Sequence, residues 1–358
     1  MIKGLMSMGD RANDLQDAFS RPNVLAGYVI NVTWRQLQPQ SVASLDTSVI
    51  DASLDKVRRY NHENPGHPLK VVLRVNGAVD APEWVRTLDG GPVGIKLRVN
   101  RNRILEAPLF WTDSYRKAWR NLQARLAARY DPEPLIAQVS NTECAHQTDE
   151  PYVNPTDSDS IVALFKAGFT NDKFKACLRN SIQDYDAWKT TRVDFTQNPF
   201  ETLSVKTDAQ GVTTGVYGPL DNQITIAIMR AFRAALGARA IISNHNLAAP
   251  PFPVNRTLYA AMKALGGPMQ FQTASAGALR PDGTTTGLLK DWDGTIRLGV
   301  ELGASAIEIW PSVAFHGKPV NDGWNPPPVC RSEIDPHECD GKPVEQLLKW
   351  DTELEAVR

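Results

Sequence analysis

Short runs of β-branched and apolar residues alternate along this chain with longer segments whose apolar positions recur every three or four residues. That alternation is the pattern of repeated β-α units around a parallel sheet. Eight runs stand out as strands: Val24 to Val32, Leu69 to Val75, a run within Gly94 to Val99, Leu135 to Ser140, Arg192 to Phe195, Ala240 to Ser243, Met269 to Thr273 and Ala306 to Trp310. Between them, Tyr115, Ala118, Trp119, Leu122, Leu126 and Tyr130 form one helical stripe, and Ile224, Ile228, Phe232, Ala235 and Leu236 form another. Gly237, the pair Gly266-Gly267 and Gly303 follow three of these helical segments where a left-handed C-terminal residue is expected, each just before a strand.

Eight units without a Gly/Ser-rich boundary predict an α/β fold, a (β/α)8 barrel occupying residues 1–358 as one domain. A doubly wound open sheet is the competing architecture, but Asn31 to Gln36, after the first run, holds no glycine where that fold carries its fingerprint. The third run is irregular: Lys96 to Leu105 reads more like a hairpin with an Asn-Arg-Asn turn than a barrel strand. Residues 316–358 read as a Pro-rich loop followed by a terminal helix.

Charge narrows the partners. With 39 Lys+Arg against 40 Asp+Glu the net charge is −1, which offers no field for nucleic acid or an anionic membrane, and no apolar run approaches bilayer length. Four cysteines, Cys144, Cys177, Cys330 and Cys339, form no CxxC pair and argue against a structural zinc site. Cys330 and Cys339 bracket the Pro-rich loop, where a disulfide would help most in an oxidising compartment. The first residues lack the apolar core of a signal peptide, so an extracellular or periplasmic location, which is the expectation, requires a mature form of the chain.

Barrel chemistry gathers at the C-terminal ends of the strands. Trp34 follows the first run; Arg74, Asn76 and Trp84 follow the second; Asn141, Glu143, His146, Asp149 and Glu150 follow the fourth. Asp194 lies on the fifth, Asn244 and His245 on the sixth, Gln272 on the seventh, and Glu308 and Trp310 on the eighth. A rim of carboxylates, amides and indoles without phosphate-binding glycine loops suits a neutral polyhydroxylated ligand. HExxH is absent, and neither a metal nor a cofactor is expected. Glu308 between Ile307 and Ile309 is a charge that either needs a partner or points into the site, and Arg74, within its own apolar strand, is one available partner, the pair then being a buried structural salt bridge.

Pro22 to Tyr28 leading to Trp34, Leu37 and Pro39, then Leu73 to Gly77 with Pro82 to Val85, and Pro108 to Asp113, resemble the opening segments of clan A glycoside hydrolases of the bacterial beta-galactosidase-like kind. The likeness covers roughly the first 190 residues and, faintly, Glu308 to Trp310. It implies a barrel, a carbohydrate ligand and an acid/base glutamate just past strand 4. Glu143, which resembles the clan's Asn-Glu pair with one residue inserted, is favoured for that role over Glu150. The clan's strand-7 nucleophile has no counterpart: Met269 to Ser275 contains no carboxylate. The second carboxyl group then comes from Glu308 or Asp194, and Glu143 opposite Glu308 would leave room for a water and favour inversion. Arg74, Asn76, Asn141, Asn244, His245 and Gln272 would position hydroxyls, with Trp34, Trp84 and Trp310 as stacking platforms. The competing readings are a catalytically inactive glycan-binding barrel and, more weakly, a lyase or isomerase using His245.

Overall fold

The computed structural model describes residues 1–9, 13–97, 103–145, 148–151, 153, 155, 157–274, 278–279, 285–286, 291–309 and 342–357. Eight parallel strands close into a barrel: β1 (Gly4–Ser7), β2 (Gly27–Thr33), β3 (Lys70–Asn76), β4 (Ile136–Ser140), β5 (Arg192–Thr196), β6 (Ala240–Leu247), β7 (Met269–Thr273) and β8 (Ala306–Ile309). Closure comes from β1, whose Gly4 to Ser7 pair in register with Ala306 to Ile309 of β8 and whose far edge pairs with β2.

One strand assignment is corrected. The run within Gly94 to Val99 is not in the barrel: Val93–Ile95 pairs antiparallel with Leu105–Ala107 as a hairpin outside it. The place in the barrel belongs to β1, four residues long and too short to stand out by periodicity. A second hairpin, Phe200–Thr207 with Thr213–Asp221, extends from the loop after β5.

Helices α1 (Ser48–Glu63), α2 (Asp113–Tyr130), α3 (Ser158–Lys166), α4 (Asn171–Asp184), α5 (Asn222–Leu236), α6 (Pro253–Leu265), α7 (Trp292–Leu302) and α8 (Val344–Glu355) surround the strands. The starts of α3, α4 and α7 are set by short polar side chains that accept orphan N–H groups of the first turn: Asp157 for Ser160, Thr170 for Lys173 and Asp291 for Gly294. The α2 stripe read from the sequence, Tyr115 through Tyr130, is buried as expected. Gly237 and Gly303 take positive φ after α5 and α7, which lets the chain turn directly into the next strand.

Inside the barrel, side chains two apart on a strand share a face and stack in layers. Met6, Val29, Val72 and Ala306 form an apolar layer, at whose level Gln138 and Gln270 exchange amide hydrogen bonds of 2.7 and 3.1 Å. One step toward the C-terminal ends, the same faces carry Arg74, Ser140, Gln272 and Glu308, so the strand period itself turns an apolar layer into a polar one.

Candidate active site

Arg74 is the hub of that upper layer. Its guanidinium grips Glu308 bidentately, Nη1 to Oε1 at 3.1 Å and Nη2 to Oε2 at 2.8 Å. The same Nη2 lies 2.8 Å from Oδ2 of Asp149, in the loop after β4. Two carboxylate oxygens therefore sit within twice 2.8 Å of one another, around a single nitrogen. Gln272 donates to Glu308 Oε1 at 2.6 Å. Buried charges at this depth persist only when paired and hydrogen-bonded, and here each carboxylate has a cationic partner.

His245 extends the network. Its Nδ1 lies 3.3 Å from Asp149 Oδ1 and its Nε2 3.2 Å from Thr196 Oγ1. Thr196 Oγ1 is 3.3 Å from Ser243 Oγ, which donates to Asp194 Oδ1 at 2.5 Å. A doubly protonated imidazole can thus donate to Thr196, Thr196 to Ser243 and Ser243 to Asp194, a directed chain from one carboxylate to another. Burial works against the imidazolium, but the Asp149 carboxylate outweighs it and lifts His245 to about 9. Asp149, buried yet facing the charges of Arg74 and His245, is held down to about 2. Asp194 goes the other way: burial raises it to about 6 despite its bond from Ser243.

Glu150 stands at the edge of this cluster, half-buried, with Oε1 accepting from Asn198 Nδ2 at 3.0 Å. Burial raises its carboxyl above the ordinary range, and the neighbouring His245 charge only partly opposes this. Glu143 is placed differently. It is fully buried, its backbone carbonyl accepts from the Tyr115 hydroxyl at 3.1 Å, and its carboxyl faces Asp184 of α4, which is itself held by Arg116 at 2.6 Å. Burial first, then the Asp184 carboxylate, pushes the Glu143 carboxyl well up. The side chain turns into the helix layer, away from Arg74 and Glu308.

Other expected contacts also turn outward. Asn141 donates to Ser181 of α4 at 2.9 Å, and Asn244 is consumed by the Gln197 carbonyl, Asn198 and the Tyr259 hydroxyl. Trp34 is no stacking platform: it is fully buried, edge-packed by Trp84, Tyr115 and Trp119, with its indole N–H on Gln38 at 2.8 Å. Trp84 is half-buried against it, and Asn76 is half-buried at the end of β3. Trp310 and His146 lie outside the described residues, as do Cys330 and Cys339. The disulfide that the described residues do contain joins Cys144, beside Glu143, to Cys177 of α4 across 33 residues. It pins the loop that carries Asp149 and Glu150.

Sequence reasoning placed Arg74, Glu308, Gln272, His245, Asp194 and Glu150 around one mouth, and the structure brings them together. Asp149 stands in the rim read from the sequence but without a role, and neither Ser243 nor Thr196 is anticipated there. The signal for Ser243 and Thr196 was present in principle, since polar residues inside apolar barrel strands need partners; Asp149 sits in an aperiodic loop that gives no orientation.

No protein-family model matches the chain, and no curated protein does. Solved structures share its fold. The catalytic domain of a beta-amylase from Paenibacillus polymyxa superposes with a TM-score of 0.52 at 11% identity, covering 96% of this chain and 100% of that one. An endo-beta-1,4-glucanase from Xanthomonas axonopodis pv. citri gives 0.50 at 12% identity over 97% and 98% of the two chains. A beta-galactosidase from a psychrophilic Marinomonas gives 0.51 at 12% identity, over 86% of this chain and 54% of that one. The chain is thus a TIM barrel whose fold glycosidases share.

Proposed function

We propose that this barrel cleaves a glycosidic bond, with Glu150 as the general acid and Glu308 as the ionised second carboxylate. The observation that carries the reading is the opposed setting of these two groups at one mouth. Burial favours the protonated form of Glu150, while Glu308 is held in place by the bidentate Arg74 contact and the Gln272 hydrogen bond. Glycoside cleavage requires one carboxyl group that carries a proton and a second that acts as a carboxylate. Glu150 gives its proton to the glycosidic oxygen as the bond breaks, and Glu308 stabilises the positive charge that develops on the sugar ring or deprotonates a water. The pairing of Glu143 with Glu308 is replaced, because the Glu143 carboxyl points at Asp184. Asp149, Arg74 and His245 fix the field, and Gln272 offers its amide to hydroxyls. A neutral carbohydrate is the substrate class, and its fold likeness to glycosidases supports this reading. An oxidising location, extracellular or periplasmic, is consistent with the Cys144–Cys177 disulfide.

One observation favours binding without turnover: Glu308 is occupied by Arg74 and β7 supplies no carboxylate. A panel of oligosaccharides and aryl glycosides, read by mass spectrometry, separates the two. Sugar released from the oligosaccharides by wild type and by Glu143→Gln, with little released from them by Glu150→Gln, supports the assignment. Ligand-dependent thermal shifts without product from any variant favour the binding barrel.

A further inference from the structure

At the opposite end of the barrel from the mouth, three metal-donor side chains converge. His67 lies in the turn between α1 and β3, while Asp351 and Glu355 sit one helical turn apart on α8 and so share a face. His67 Nε2 is 3.5 Å from Asp351 Oδ2, and one donor atom from each of the three residues lies within 4.8 Å of the other two. Asp351 is only 3% exposed; its Oδ1 accepts the Leu5 N–H of β1 at 2.6 Å, which leaves Oδ2 turned toward His67. His67 Nε2 is enclosed and makes no hydrogen bond.

We propose that His67, Asp351 and Glu355 form a zinc site that staples α8 to the floor of the barrel. One imidazole nitrogen and two carboxylate oxygens suit a borderline first-row cation, whereas calcium and magnesium favour all-oxygen shells. Zinc ligands lie about 2.0 to 2.2 Å from the ion, so the donors must draw together by a fraction of their present spacing. Glu355 is exposed and supplies that adjustment by side-chain rotation. The Leu5 bond orients Asp351 independently of the metal, as an outer partner does for a ligating carboxylate. Because the donors come from segments nearly 300 residues apart in sequence, roughly the full length of the barrel, the site exists only in the folded chain and its occupancy stabilises that fold.

The test is calorimetric titration of the tag-free full chain with zinc chloride, beside thermal melting with and without the metal. His67→Gln and Glu355→Gln both leave the Asp351–Leu5 bond in place, and their metal-free melting shows whether they fold. The expected result is one zinc per chain, a higher Tm with zinc, and affinity weakened about tenfold or more in each variant, the loss that follows removal of one ligand. Zinc binding unchanged in both variants, or no heat and no Tm shift in the wild type, overturns the proposal.

Discussion

Arg74 shows how one residue can hold a site together. It neutralises Asp149 and Glu308 at once, in a layer where both carboxylates are almost fully buried. Arg74→Met leaves buried Glu308 without its cation and Asp149 with His245 alone, and is expected to cost about 3 to 5 kcal/mol, measurable by urea denaturation. Glu143 makes the contrasting case. Its carboxyl faces Asp184 in the helix layer and is pushed toward the protonated form, so Glu143→Gln is expected to retain turnover, as product release by the variant would show. Glu150 is expected to set the alkaline limb of the pH–rate profile. Activity is full while it holds its proton and falls as pH rises through a value above the ordinary carboxyl range. The pairing of Arg74 with Glu308 was legible in the sequence because each is a charge embedded in an apolar strand. The direction of Glu143 was not, because one inserted residue after a strand reverses the face that a side chain takes, and spacing alone does not say which way a loop turns.

Among the elements, the strand signals that depend on long β-branched runs are found in place: β2, β3, β4, β7 and β8 lie where the pattern puts them, to within three residues. β1 escaped because Gly4 to Ser7 gains its strand identity from distant pairing with β8, not from local propensity. The run within Gly94 to Val99 had strand propensity and was spent on a hairpin. Propensity says that a segment is extended; it does not say which sheet receives it. The loop after β4 is the element on which the site depends most, and the Cys144–Cys177 disulfide ties it to α4. Cys144→Ser with Cys177→Ser is expected to lower stability by about 2 to 4 kcal/mol in denaturant titrations, and mild reduction of the wild type should lower it similarly.

For the whole molecule, the buried titrating groups set a pH optimum for stability. The Asp149 contribution is complete above its unfolded value of 3.8 and is lost as pH falls toward about 2. His245 contributes fully below its unfolded value of 6.5, and that contribution is lost as pH rises through about 9. Asp194 and Asp351, raised to about 6 and about 7, favour the folded chain while protonated and cost stability as pH climbs from 3.8 through those values. The Tm is therefore expected to peak in mildly acidic solution and to decline from there to pH 9, and Asp194→Asn should flatten the acid side of that decline. A flat Tm across this range would contradict the ionisation pattern of the site.

The division of labour between the two glutamates after β4 is tested most directly by leaving-group dependence. On whichever sugar the glycoside panel identifies, Glu150→Gln is compared with wild type on an aryl glycoside with a strongly acidic phenol and on one with a poor leaving group. Loss of the general acid is expected to slow the poor leaving group by about a hundredfold or more, while the acidic phenol, which departs without a proton, keeps most of its rate. Equal losses on both substrates, or the selective loss appearing in Glu143→Gln instead, would contradict the account.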